Sequence, residues 1–105
     1  MNCSYHDIVL LPIPFTDLTS SKVRPAIVIG HGSFAGDLFV VPVTSQFANA
    51  DFSLADWKGA GLNVPSGVKS QIATVDSSLV RRVVGKLLPA DAATLQLHLR
   101  QWLQL

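Results

Sequence analysis

Glutamate is absent from this sequence of 105 residues, cysteine occurs once, and charge of either sign is scarce. Every acidic side chain is an aspartate, and because long helices usually recruit glutamate, its absence leans the chain toward strands. Cys3 has no second thiol to pair with, so no intrachain disulfide is available and a reducing compartment, the cytoplasm, is expected. The longest early apolar run, Ile8 to Phe15, is interrupted by Pro12 and Pro14, and no basic segment follows Met1. Neither a signal peptide nor a membrane span is expected. Eight Lys and Arg face seven Asp, a net charge of +1, which excludes the broad basic face that wraps duplex DNA but permits a short groove for a few nucleotides. His6, His31 and His98 share no ligand spacing with one another or with Cys3, so no metal is expected.

What is abundant is apolar surface. Hydrophobic residues make up 49% of the chain against 14% charged, a composition that folds rather than stays disordered, and at this length one core serves a single domain, 1–105. The excess of apolar over charged surface suggests that a partner covers part of it, and a homodimer is the simplest arrangement.

Ile8-Val9-Leu10-Leu11 reads as a first strand ending at a proline pair. Thr16 to Lys22 is small and polar, an exposed loop of the kind that often carries function. Arg24 to Ile29 gives a second strand, and Leu38 to Ser45 a third that bends at Pro42 and ends in hydroxyls. A short edge strand is expected around Phe52-Ser53-Leu54. The alternation of Val68 to Val75 predicts one half-buried strand, and Val83 to Leu87 a last one. From Pro89 the period changes: Ala92, Leu95, Leu99, Trp102 and Leu103 recur at helical spacing, with Pro89 and Asp91 suited to a helix start. Short strands with Gly and Pro turns and a single C-terminal helix predict a mainly β fold, a small barrel rather than an α/β layer structure.

Few residues remain for chemistry. Gly30-His31-Gly32 is a turn between strands with no helix after it, so it is no phosphate cradle. Ser, His and Asp are all present and composition leaves a triad open, but the G-x-S-x-G elbow is missing. Arg24 opens the second strand and Thr44-Ser45 closes the third, so if those strands pair, the two ends lie side by side. A planar guanidinium beside a hydroxyl suits a reaction that builds negative charge on a phosphoryl group. The plainer readings are an ion pair of Arg24 with Asp17 or Asp37, Thr44 satisfying a strand-end backbone group, and Asp76 as a turn or cap residue. His6 and His31 read as solvated loop residues and His98 as a helix residue beside the core.

Four blocks in order carry a resemblance. His6-Asp7-Ile8-Val9-Leu10 with Pro14-Phe15-Thr16-Asp17 and Lys22-Val23-Arg24-Pro25-Ala26-Ile27-Val28-Ile29 looks like the N-terminal signature of MazF/PemK toxins. Pro42-Val43-Thr44-Ser45-Gln46 resembles their second motif, and Ala55 to Leu62 and Thr74 to Leu87 resemble the later blocks. The resemblance implies an SH3-like barrel of the CcdB/MazF type that dimerises, cleaves single-stranded RNA at short motifs without a cofactor, and is restrained by a cognate antitoxin protein. It implies a catalytic pair at Arg24 and Thr44, with Asp76 as the counterpart of an acidic residue in some members. Candidates for RNA contact are Thr16, Lys22, Ser45, Gln46, Lys69, Gln71 and Arg81, with Phe15, Phe47 and Trp57 as rings on which bases stack. Of Arg81 and Arg82, strand alternation lets at most one face the groove.

In the implied reaction the ribose 2′-OH attacks its own phosphorus, leaving a 2′,3′-cyclic phosphate and a 5′-OH. Arg24 neutralises the pentavalent intermediate, Thr44 bonds a phosphate oxygen, and Asp76, if near, takes the 2′-proton. Two departures concern the proton steps: the family commonly has Gly at the place of His6, and its Asp-containing block can carry a basic residue at the place of Thr74. His6 is a substitute acid, since imidazole titrates near neutrality. The alternatives from another class are a non-enzymatic toxin of the same barrel that binds DNA gyrase, as the CcdB group does, and a degenerate barrel that only binds its antitoxin.

Overall fold

A computed structural model describes residues 3–12 and 22–105. The strands are β1 (Asp7–Pro12), β2 (Val23–His31), β3 (Asp37–Thr44), β4 (Phe52–Ser53), β5 (Gly67–Val68), β6 (Ala73–Asp76) and β7 (Arg82–Lys86). Single 3-10 turns cover Phe47–Asn49 and Ser77–Leu79, and one helix, α1 (Pro89–Leu103), closes the order. All pairings are antiparallel. The mainly β class with a C-terminal helix is the one expected. The barrel does not close among the described residues: the path runs β4-β5-β3-β2-β1-β7, with β6 also on β3, and no ladder joins β4 to β7.

The central strands are apolar without alternation because both their faces are covered. Ile8, Ile27, Val41 and Val43 point to one side, where Leu54, Val68, Leu87, Leu95 and Leu99 join them. Val9, Leu11, Ala26, Val28 and Val40 point to the other, packed with Cys3, Leu38 and Val80. Burying a side chain of this size contributes roughly 1.5–3 kcal/mol, so the sheet is clamped from both sides.

The helix begins with Pro89 in its first turn and ends at Gln104, whose left-handed φ of 57° terminates it. Leu95 and Leu99 are buried and Ala92 and Trp102 pack beside them, whereas Leu103, in the last turn, is exposed. Asp91, only 3% exposed, faces inward. Its two oxygens accept the backbone N–H groups of Ala55 and Asp56, both at 2.8 Å, which ties the helix start to the segment after β4.

The strand expected over Val68 to Val75 is two strands. Val43 faces Val68 and Val40 faces Ala73, so three steps along β3 are matched by five along the other chain. Two extra residues must leave the ladder, and the N–H of Ile72 bonds the carbonyl of Ser70 at 3.0 Å where they do.

Candidate active site

The register of β2 on β3 sets Ala26 opposite Pro42, Ile27 opposite Val41 and Val28 opposite Val40. The ladder ends at Ala26 and Pro42; continued two residues further, the same register would set Arg24 opposite Thr44. Directly opposed residues of antiparallel strands share a face, here the face of Ala26, Val28 and Val40. Leu11 of β1 flanks Arg24 from the other side, and Gly67 of β5 flanks Thr44. A Cβ at Gly67 would stand 2.6 Å from the Ala50 methyl and 2.8 Å from the Phe52 carbonyl, so glycine is required for β4 and β5 to approach here.

Arg24 is exposed and Thr44 half-buried. Lys86 forms an ion pair with Asp7 at 3.2 Å, and Asp37, at the far end of β3, is out of reach of Arg24. The Thr44 hydroxyl accepts the backbone N–H of Gln46 at 3.0 Å, which engages a lone pair and leaves its own proton to donate outward. Gln46 in turn accepts a bond on Oε1 from the side-chain amide of Asn49 at 3.1 Å.

The other expected residues divide. Ser45 and Gln46 continue from Thr44 and are exposed. Lys69, half-buried, donates its backbone N–H to the Pro42 carbonyl at 3.1 Å, two residues from Gly67 and so beside the Thr44 end of the sheet. Gln71 lies in the same extruded segment, and its Oε1 is buried with no hydrogen-bond partner. Lys22 is exposed directly before β2, and Arg81 is exposed with its backbone N–H on the Leu10 carbonyl at 2.7 Å. Thr16 and Phe15 lie outside the described residues.

Asp76 is not brought to the Arg24 and Thr44 pair within one chain. It faces Asp37, seven residues from Thr44 along β3, a separation of roughly 23 Å for an extended strand. Its carboxylate caps the turn Ser77–Leu79 by accepting the Ser78 N–H at 2.8 Å, and those bonds from Ser78 hold it below the usual carboxylate range. His6 is also remote, five residues before Leu11 in β1, and it is not a solvated loop residue. It is half-buried with φ 73°, its backbone bonds Val28 and Leu87, and its Nε2 is buried without a partner. Burial, then the nearby Lys86 charge, lower its pKa. His31 ends β2 with Nε2 2.9 Å from the Cys3 carbonyl, and His98 stacks on Phe52 with ring centroids 4.2 Å apart. Among the described residues no group of three His, Cys, Asp or Glu side chains is placed to hold a metal ion.

A family model described as PemK-like, MazF-like toxin of type II toxin-antitoxin system matches residues 5–103. The chain belongs to the MazF/PemK toxin family. Solved structures share the fold: Mycobacterium tuberculosis toxin MazF-mt6 superposes with a TM-score of 0.72 at 20% identity, over 94% of this chain and 97% of that one. An endoribonuclease in complex with its cognate antitoxin from Mycobacterial species superposes with a TM-score of 0.71 at 17% identity, over 100% of this chain and 97% of that one. No curated protein matches the chain in sequence. No helix of this MazF/PemK toxin, among its described residues, is long and apolar enough to cross a membrane.

Residues absent from the sequence reading are Asn49 and Gly67. The signal for Asn49 was its three-residue spacing from Gln46, which a 3-10 turn brings onto one side. For Gly67 nothing in the sequence distinguished a turn glycine from one facing a catalytic candidate.

Proposed function

We propose that this toxin is a metal-independent endoribonuclease that cuts single-stranded RNA at short sequence motifs, with Arg24 and Thr44 at the scissile phosphate. The observation that carries the reading is the β2 on β3 register, which ends at Ala26 and Pro42 and, continued two residues, brings Arg24 and Thr44 to one face at one end of the sheet. The ribose 2′-oxygen bonds phosphorus as its proton departs, the bond from phosphorus to the 5′-oxygen breaks, and that oxygen takes up a proton. The products are a 2′,3′-cyclic phosphate and a 5′-OH.

Arg24 stays protonated throughout, so its part is to offset charge on the phosphoryl oxygens rather than to move a proton. Thr44, already accepting from Gln46, donates to one of those oxygens. Neither Asp76 nor His6 is within reach of the 2′-proton in the same chain. Lys69, and with it Lys22, Ser45, Gln46, Gln71, Arg81 and Thr16, contacts the RNA strand on either side of the cut. The toxin works in the cytoplasm as a homodimer and is held inactive by a cognate antitoxin, in keeping with the family and with the antitoxin-bound fold neighbour.

The test is incubation of purified protein with a long single-stranded RNA in EDTA, followed by sequencing of 5′-OH ends. Cutting at a defined motif, lost in Arg24→Ala, is expected. Cutting retained by Arg24→Ala removes Arg24 from the mechanism, and toxicity with intact RNA pools favours the gyrase-binding alternative.

A further inference from the structure

Lys69 shares the face of Thr44. The ladder of β3 with β5 sets Val43 opposite Val68 and Thr44 opposite Gly67, and the Lys69 N–H on the Pro42 carbonyl, at 3.1 Å, carries that register one residue further. Side chains alternate along a strand, so Gly67 and Lys69 point to one side and Val68 to the other. Lys69 is therefore the diagonal neighbour of Thr44, at roughly 7–8 Å, and Gly67, directly opposite the hydroxyl, has no side chain to stand between them. The lysine is half-buried, and its ammonium has no ion-pair partner among the described residues. One residue holds its backbone on both sides. The Asp51 N–H donates to the Val68 carbonyl at 2.8 Å, and the Asp51 carboxylate accepts the Ser70 N–H at 2.7 Å, so the peptide units before and after Lys69 are bracketed. The bracket sits where the chain leaves the ladder, since the Ile72 N–H turns back to the Ser70 carbonyl at 3.0 Å immediately afterwards.

We propose that Lys69 is a second cation at the phosphate group bound by Thr44, and that Asp51 is a positioning residue that aims it there. This rests on the ribonuclease reading above. Arg24 belongs to β2 and Lys69 follows β5, so the two flank β3, and Thr44 with it, from opposite sides. A phosphodiester lying over the Thr44 hydroxyl is met by a planar guanidinium on one side and by a compact ammonium on the other. The lysine stem is flexible, so its charge is directed only if the backbone it leaves from is fixed. Asp51 touches no RNA, and its own negative charge opposes RNA; its benefit comes through the backbone of Lys69.

The experiment measures cutting of a single-stranded oligonucleotide that carries the wild-type motif, and binding of the same oligonucleotide with a 2′-deoxy sugar at the cut, over a range of salt. Lys69→Gln, Asp51→Ala, Asp51→Asn and the double variant Asp51→Ala/Lys69→Gln are compared with wild type. Lys69→Gln is expected to lower kcat/KM about tenfold to a hundredfold, the range of one hydrogen bond to a charged group. It should also flatten the salt dependence of binding by about 0.7 in slope, one phosphate contact on a single strand. Asp51→Ala removes a negative charge, which by itself tightens binding to RNA; loss of positioning has the opposite sign, binding about threefold to tenfold weaker. Asp51→Asn keeps an acceptor for the Ser70 N–H and should bind at least as tightly as wild type. In the double variant the Asp51 change costs nothing beyond Lys69→Gln, whereas a merely structural tie costs the same with either residue at position 69. Unchanged or tighter binding by Asp51→Ala, or additive losses, overturns the positioning claim, and an unchanged salt slope in Lys69→Gln overturns the second cation. If wild type binds RNA without cutting it, the ribonuclease reading falls, and the binding comparisons on a randomised single-stranded RNA decide the proposal by the same outcomes. If wild type binds no RNA, the proposal falls too.

Discussion

Replacing Asp91 removes the two side-chain hydrogen bonds that tie the start of α1 to the segment following β4. Its carboxylate is 3% exposed and accepts two backbone N–H groups at 2.8 Å. Hydrogen bonds to a charged group contribute about 1.5–3 kcal/mol each. Ala55 and Asp56 are themselves exposed, so their freed N–H groups regain water in part, and the two losses do not simply add. Asp91→Ala should therefore cost about 2–4 kcal/mol. Asp91→Asn keeps one acceptor but turns an NH2 toward the other N–H, and should cost about half as much. For a domain of this size the larger loss lowers Tm by roughly 10–25 °C. Urea unfolding should show a lower midpoint at constant slope, because the surface exposed on unfolding is unchanged. Amide exchange should accelerate first at Ala55 and Asp56. An Asp91→Ala variant within about 0.5 kcal/mol of wild type, the range of an ordinary surface change, would refute the claim that this carboxylate ties helix to sheet.

Two further outcomes follow from the same geometry. Thr44→Val, which keeps the shape but not the donor, should lower the RNA cutting rate about a hundredfold, and Thr44→Ser should restore most of it; equal rates for the valine and serine variants would mean the hydroxyl does not act on the phosphate. His6 has a folded pKa held below the ordinary 6.5 by burial and then by Lys86, so below pH 6.5 the unfolded chain takes up a proton that the folded chain refuses. Stability is full above that pH and declines as pH falls through it, levelling only when folded His6 also protonates. His6→Asn, which tolerates the φ of 73°, should flatten the urea midpoint measured from about pH 8 to pH 5, and an unchanged slope would exonerate the imidazole.

Local chemistry was enough to locate β1, β2, β3 and α1. Apolar runs stopped by prolines, glycines or hydroxyls mark strands whatever they pack against, and a spacing of three and four marks a helix face. The approach of Arg24 to Thr44 was legible as a possibility, since each stands at a strand end, and the β2 and β3 register, continued past Ala26 and Pro42, supports it. Register is a property of two segments at once, and no pattern within either one contains it. The same holds for what went astray. Val68 to Val75 alternates as a continuous strand, yet β3 accepts it in two offset pieces, and the mismatch exists only when both segments are laid together. Within one chain Asp76 stands at the end of β3 away from Thr44, because a strand carries neighbours in sequence apart in space by about 3.3 Å per residue. Composition and local order thus determined which elements form. Which strands pair, and in what register, was decided by contacts between distant parts of the chain.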